Sequence, residues 1–434
     1  MLIEEIRVQG YKSLVDATLH VRPLTLLAGT NSSGKSSIMQ PLLLIKQTME
    51  APYQPAGALV LDGAHVQAET AGELVSKVME TKDIIFKVAG LNTLNTKSAG
   101  CEIIYRLSEP NFLIVKQTTF GGNFQHLVLE PGLNSNEIKR RLRVAVPVIE
   151  ESAAFQIGMR NGFLELLTVS LLPNNEVETQ RTQFTFSLQN ILGSTFHIPG
   201  LRISPSRNYL ATTFQDQIRG TFDLYAAGTI SQWQQRNDTE KLTQLNNYLQ
   251  RLGLTNAVTA KVKNANEVEL SVNRLPSTSK TKPRKADMVN IADVGIGVSQ
   301  VLPILVALIA AQEGQLVYVE QPELHLHPRA QVAMGELLAE AANRGVRVIV
   351  ETHSSLLLLT VQTLVAEGKI KPDDVGLHWF ERDAKGATTV RYEQPDENGA
   401  YGEWPEDFGD VEMTAQRSYL DAVTQRQPKR AAKA

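Results

Sequence analysis

The stretch Gly29-Thr30-Asn31-Ser32-Ser33-Gly34-Lys35-Ser36 decides how the rest of the chain reads. It matches G-x-x-x-x-G-K-[ST] in full, between the strand pattern "ATLHVRPLTLLAG" and the helix pattern "IMQPLLLIKQTME". Strand, glycine loop and helix in that order form the context a phosphate cradle needs. Backbone N–H groups from Gly29, Asn31, Ser32, Ser33, Gly34, Ser36 and Ser37 are expected to wrap phosphate oxygens at a helix N-terminus. Lys35 would supply a point charge to the β/γ oxygens of ATP, and Ser36 a hydroxyl to Mg2+. The alternative is a Gly/Ser surface turn, which the place of Lys35 at the mouth of a helix disfavours. Pro41 is tolerable there only in the first turn or at a kink.

A second half of such a site is expected downstream. In "LVYVEQPELHLHP", Leu316 to Pro328, an apolar strand ends at Glu320, where an acid can hold the metal opposite Ser36. Gln321 follows, where a glutamate would activate water. An amide takes no proton, and losing a positioned base costs about a hundred- to ten-thousand-fold in rate. A glutamine can still orient the attacking water, and Glu323 is the nearest spare carboxylate to serve as base. In "VIVETHSS" a β-branched run carries Glu351 and then His353, at the strand end where parallel sheets bind ligands. A lone histidine is otherwise usually structural. "ADVGIGVSQVLPIL" places Asp293, Gly295, Gly297, Ser299 and Gln300 before a buried helix, where small residues let backbone N–H groups approach a phosphate. By itself that pattern also fits a flexible turn.

The 434 residues allow two or three domains, and 42% hydrophobic with 21% charged residues is ordinary for a globular protein. Cys101 is the single cysteine, so no internal disulfide forms. The opening MLIEEIRVQG lacks the pattern of a secretory signal, and the most apolar run, Val301 to Ala311, is too short to cross a bilayer. A cytoplasmic protein with no membrane partner is expected. A formal net charge of -3 gives no global attraction to nucleic acid, which remains possible through a local basic face. Short strand patterns such as "CEIIYRL" and "FLIVKQTTF", with turns such as Phe120 to Asn123, suggest a meander within residues 1–130. Residues 131–287 read as an inserted subdomain, with helices at "EIKRRLRV" and "DTEKLTQLNNYLQRLGL" and a Ser/Thr/Lys/Pro-rich linker from Arg274 to Asp287. Residues 288–382 alternate helix and strand as a parallel sheet does. Residues 383–434 read as an irregular extension ending in a disordered tail, "QRQPKRAAKA".

Together the P-loop, "DVGIGVSQVLPIL", "VEQPELHLHPRAQ" and "VIVETHSS" resemble the ABC-type ATPase heads of the structural-maintenance-of-chromosomes class and the OLD-like ATPases. More closely, the chain resembles a bacterial group of stand-alone AAA-family ATPases, some of them found in anti-phage systems. The likeness runs from "YKSL" at Tyr11 through "HIPGLRISPSRNY" to "GEWPEDFGD" at Gly402 to Asp410. It implies an α/β fold: a P-loop NTPase of ABC-ATPase-head type with a mixed sheet, an N-terminal β meander and an inserted α/β or helical subdomain. It also implies that Gly295, Gly297, Ser299 and Gln300 form a signature loop reaching the γ-phosphate on a second subunit, so that a homodimer sandwiches two ATP molecules. His353 would then be the switch histidine, Leu326 to Pro328 a dimer-facing loop, Lys12 a basic residue approaching the nucleotide, and Gln67 a metal-sensing glutamine. OLD-like heads carry Glu-Glu-Pro-Glu where this chain reads Glu320-Gln321-Pro322-Glu323, and often an aspartate at the position of Ser355. A nuclease would have to be a separate partner or effector, since the stretch after His353 is short for a domain. A nucleotide-gated scaffold with negligible hydrolysis is the competing function.

Overall fold

The computed structural model describes residues 2–52, 57–92, 95–120, 127–145, 154–160, 162–171, 177–181, 186–215, 217–275, 284–402 and 417–422. Its centre is a six-stranded sheet in the order Phe196–Ile198, Leu316–Glu320, Arg347–Glu351, Leu24–Gly29, Val375–Arg382, Thr388–Glu393. The first five strands run parallel and the last pairs antiparallel. Side chains alternate across a strand, and here the two faces enter two different cores. Val317, Val319, Val348 and Val350 pack with the helices Ala226–Gln235, Thr239–Arg251, Ile296–Ala310, Pro328–Asn343 and Ser355–Ala366. Leu316, Tyr318 and Ile349 pack with the helix Gln40–Glu50 and a second sheet. Cover on both faces is why these strands read as unbroken apolar runs rather than alternating ones.

The second sheet is antiparallel, in the order Leu14–His20, Leu2–Tyr11, Asp83–Asn92, Asn95–Ser108, Phe112–Phe120, Leu127–Leu129. It contains the expected meander. Pro41 lies in the first turn of the helix Gln40–Glu50, where its missing N–H costs nothing. The fold expected from the sequence, an α/β P-loop head with a mixed sheet and an N-terminal meander, is the fold observed.

Residues 131–287 form α/β structure rather than a helical bundle. They carry a three-stranded sheet (Ala154–Arg160, Phe163–Leu171, Val177–Arg181) and most of a four-stranded one built on Val258–Asn264 and Glu267–Asn273. The helix Thr239–Arg251 is capped by Asp238, and the chain leaves it through Gly253 at φ 72°. Within this segment, Phe196–Ile198 is itself the edge strand of the central sheet. The region after Asp383 is not irregular at its start: Thr388–Glu393 pairs with Val375–Arg382. The turn at Phe120 to Asn123 (from 121), the linker residues 276–283, the stretch Gly402 to Asp410 (from 403) and the tail "QRQPKRAAKA" lie outside the described residues. Among the described residues, no helix is long and apolar enough to cross a membrane.

Candidate nucleotide site

The strand Leu24–Gly29 is buried throughout and delivers the chain to the P-loop. Gly29 has φ 141°, and a Cβ there would fall 2.1 Å from the Phe380 carbonyl oxygen, so only glycine lets the neighbouring strand close on the loop entrance. Gly34, at φ 98°, would place a Cβ 2.7 Å from Thr388 Oγ1. Thr388 Oγ1 donates to the Ser33 carbonyl at 2.7 Å and lies 2.8 Å from Ser13 Oγ, so the last strand of the sheet clasps the loop. Lys35 Nζ donates to the carbonyls of Gly29 (3.1 Å) and Thr30 (2.7 Å). Burial pulls this ammonium below the usual lysine range, against the opposing charges of Glu351 and Glu323. Ser33 Oγ is buried with no partner among the described residues, while Thr30, Asn31 and Ser32 face solvent. Ser36 and Ser37 open a short 3-10 turn, Ser36–Ile38, ahead of the α-helix.

Glu320 and Glu351 end adjacent parallel strands, Glu323 follows in the turn after the first, and Glu351 is the one that bonds the P-loop. Ser36 Oγ donates to Glu351 Oε1 at 3.0 Å, and Tyr318 OH to Glu351 Oε2 at 3.2 Å. Glu351 is buried, and burial together with the nearby Glu320 charge pushes its carboxyl above the usual range. Glu320 accepts from His197 Nε2 (3.1 Å) and the Gly200 N–H (3.0 Å). Burial pushes its carboxyl up, but the His197 and Gly200 bonds outweigh it and hold the group below its ordinary value. Glu323 turns inward: Oε1 accepts from the His353 N–H at 2.7 Å, and Oε2 is buried without a partner among the described residues. Burial raises its carboxyl. His353 is partly buried, and burial and the Lys35 charge lower its imidazole. Gln321 sits at φ 45°, a conformation rare outside glycine, fixed by its N–H on the Glu351 carbonyl at 2.7 Å. No hydrogen bond holds its side-chain amide among the described residues.

A buried chain runs away from Glu320. His197 Nδ1 lies 2.9 Å from His65 Nδ1, His65 Nε2 lies 3.2 Å from Glu50 Oε2, and Lys46 Nζ pairs with Glu50 Oε1 at 2.9 Å. Two facing Nδ1 atoms bond only if one of them carries a proton. On the other side, Arg202 Nη2 donates to the carbonyls of Glu320 (2.5 Å) and Gln321 (3.1 Å), fixing the bend between the two acid positions. Its Nε and Nη1 are buried without partners among the described residues, and burial pulls the guanidinium down to about 10.

Other expected residues lie elsewhere. Lys12 Nζ donates to Gln40 Oε1 at 2.7 Å, beside the first helix. Gln67 is exposed and makes no side-chain hydrogen bond to Ser36 or the acids among the described residues; His65, from the same turn, is the residue that reaches inward. The Ser299 hydroxyl donates to the Ile296 carbonyl in its own helix (2.8 Å), and Gln300 Nε2 donates to the Ile203 carbonyl (3.1 Å). Both side chains are buried, and the exposed residues of this loop are Asp293, Gly295 and Ile296. No hydrogen bond among the described residues ties that loop to the P-loop of the same chain. Leu326 is buried, while His325, His327 and Pro328 are exposed. Sequence reasoning missed His65, His197, Arg202 and Thr388, and noted Glu351 without giving it a role. The run "HIPGLRI" offered a cue only for the loop as a whole.

No three or more His, Cys, Asp or Glu among the described residues form a ready metal cage. Mg2+ does not need one: it is commonly held by one or two carboxylates plus substrate phosphates. Ser36, Glu351 and Glu320 fit that pattern.

A family model described as "AAA domain, putative AbiEii toxin, Type IV TA system" matches residues 126–359, and one described as "AAA ATPase domain" matches residues 1–116. No curated protein matches the chain in sequence. Similar solved structures include an SMC head bound to the C-winged helix domain of ScpA, at 10% identity and TM-score 0.49, covering 91% of this chain and 98% of that one. The SMC head domain from Thermotoga maritima has 10% identity and TM-score 0.40, covering 90% and 98%. An SMC head with an extended coiled coil, bound to the C-terminal domain of ScpA derived from Pyrococcus furiosus, has 10% identity and TM-score 0.43, covering 91% and 96%. With the first family model matching more than half of its residues, the chain belongs to that AAA domain family.

Proposed function

We propose that the chain binds ATP with Mg2+ at the C-terminal ends of these parallel strands and hydrolyses it slowly, closing on ATP into a two-fold pair that drives a separate partner. The observation that carries the reading is the convergence of Lys35, Ser36, Glu351, Glu323 and the His353 backbone at the ends of adjacent parallel strands. Lys35 exchanges its bonds to two loop carbonyls for phosphate oxygens. Ser36 and the strand-end carboxylates hold the metal, which supplies charge neutralisation on the transferred phosphate. Gln321 orients the attacking water by its amide, and Glu323, whose Oε2 has no partner, takes the proton. His353 stands beside the P-loop to contact the γ-phosphate, and the exposed Gly295 and Ile296 are offered to the nucleotide of the second subunit. Residues 131–287, apart from the strand Phe196–Ile198 of the central sheet, act as the inserted part that couples to the partner, with residues 1–130 and 288–393 forming the rest of the head.

Gln321 favours a second reading, a gate that holds ATP and scarcely turns it over. Calorimetry of ATP binding followed by single-turnover hydrolysis tests both. ATP binding with slow turnover supports the first, binding with no turnover the second, and no binding refutes both.

A further inference from the structure

We propose that His197 and His65 are positioning residues for Glu320: they form a buried polar strut, built out from the helix behind the P-loop, that sets the direction of this carboxylate for a metal–nucleotide complex. This rests on the reading of the P-loop as a nucleotide site and of Glu320 as one of its metal-side acids.

Strand geometry brings the first imidazole to the acid. Phe196–Ile198 runs parallel to Leu316–Glu320 with His197 opposite Tyr318, and the two rings stack at 5.3 Å and 12°. Tyr318 and Glu320 share a face of their strand, so a ring stacked on the first can reach the second. His197 Nε2 and the Gly200 N–H, from one segment, each take one Glu320 oxygen. A long, flexible side chain at a strand end is thereby held in one direction.

The second imidazole keeps the first in place. The His197 side chain is 1% exposed, and its Nδ1 lies 2.9 Å from His65 Nδ1. His65 is fixed in turn by the helix Gln40–Glu50, where Gln47 accepts its backbone N–H and Glu50 bonds its Nε2. Lys46 pairs with Glu50 and donates to the Leu192 and Ile218 carbonyls, which closes the chain of bonds inside the protein. That helix follows directly on the P-loop turn Ser36–Ile38, so one run of chain carries the Ser36 hydroxyl and the footing of the strut to Glu320. Apolar residues of similar size would support the fold at least as well as these buried charges and imidazoles, so what the strut adds is direction.

Mn2+ affinity of the protein in complex with ADP, read by electron paramagnetic resonance, tests the assignment. ADP affinity in EDTA, measured in parallel, monitors the fold and the P-loop. His197→Phe keeps a ring and removes the donor, and should lower Mn2+ affinity by about 10- to 100-fold, the range for losing an outer partner of a metal ligand. His197→Gln, whose amide can still donate toward Glu320, should recover most of that loss. His65→Phe, at a residue with no hydrogen bond to Glu320 or the P-loop among the described residues, should also weaken Mn2+ binding. ADP affinity in EDTA should hold in all three. Wild-type Mn2+ affinity in His197→Phe or His65→Phe, or no recovery in His197→Gln, overturns the proposal. So does a fall in metal-free ADP affinity that matches the fall for Mn2+, which marks a packing defect. A wild-type chain that takes no ADP in EDTA, or no Mn2+ with ADP, overturns the nucleotide site or its metal side, and the proposal with it.

Discussion

Replacing Glu323 with glutamine separates a catalytic carboxylate from a structural one, because the two roles predict opposite changes in stability. Glu323 Oε1 accepts from the His353 N–H at 2.7 Å, and a glutamine carbonyl can keep that bond. Oε2 is buried without a partner, a deficit of about 1–3 kcal/mol for a polar group. The variant puts a neutral amide there, which costs less to bury than an ionised carboxylate. Burial raises the Glu323 carboxyl in the folded state. A group so raised stabilises the fold below its unfolded value, and that contribution is lost as pH rises through the folded value. Wild type should therefore lose stability on that limb while Glu323→Gln does not, and the variant should melt higher at pH 8, with a smaller gap at pH 5. If Glu323 takes the proton from water, the same variant should lose about 10²- to 10⁴-fold in single-turnover rate, or roughly 3–5 kcal/mol of transition-state stabilisation. ATP affinity should hold. A higher melting temperature with an unchanged rate would refute the base assignment, and a lower melting temperature would show that the bond to His353 was lost.

Lys35→Ala should abolish ATP binding in calorimetry while leaving the fold intact, since the lysine's own bonds in the protein go only to two loop carbonyls; unchanged affinity would refute the P-loop reading. Ser299 is too buried to probe pairing cleanly, so Ile296→Glu, at an exposed position of the signature loop, should block the ATP-dependent doubling of mass in sedimentation without blocking ATP binding. The same mass with and without ATP in the unsubstituted protein would refute the two-fold sandwich. His378 is buried among Tyr392 and His20, accepts the His20 N–H, and is held by burial down to about 3. Its unfolded form takes up a proton near 6.5, so stability should fall by about 2 kcal/mol between pH 6.5 and 5 from this residue. His378→Gln should flatten that slope in chemical denaturation, and an equal slope in both proteins would refute it.

The nucleotide site was legible where its residues are adjacent in sequence. The P-loop announces itself because strand, glycine turn and lysine are a local pattern, and Glu320 and His353 because each ends a β-branched run. What escaped is non-local. His197 and His65 are 132 positions apart, and nothing in either neighbourhood says that their rings meet. Phe196–Ile198 spans three residues, too short for a strand period to show, yet it brings His197 to Glu320. Thr388–Glu393 reads as a polar tail because it is an edge strand with one face exposed, and its clasp on Ser33 depends on closure of the sheet. Gln67 was chosen by residue type. The burial pattern of its turn instead sends His65 inward, which sequence alone does not resolve.

The glutamine that raised the question of turnover has a physical reason within this arrangement. A Cβ at Gly200 would lie 3.4 Å from Glu320 Oε2 and 3.5 Å from Gln321 Oε1, so the two side chains flank the same glycine. A glutamate at 321 would set a carboxylate beside Glu320 in a site that also holds Glu351 and Glu323. Two like charges at ~4 Å and an effective dielectric of 20 repel by about 4 kcal/mol. The backbone of residue 321 cannot turn away to relieve this, because its N–H is committed to the Glu351 carbonyl and its own carbonyl to Arg202 and Leu324. An amide fits the place without adding charge and keeps a donor and an acceptor for positioning water. The proton must then go to a carboxylate whose environment favours its neutral form; burial raises both Glu351 and Glu323, and of the two Glu323 has the oxygen without a partner among the described residues.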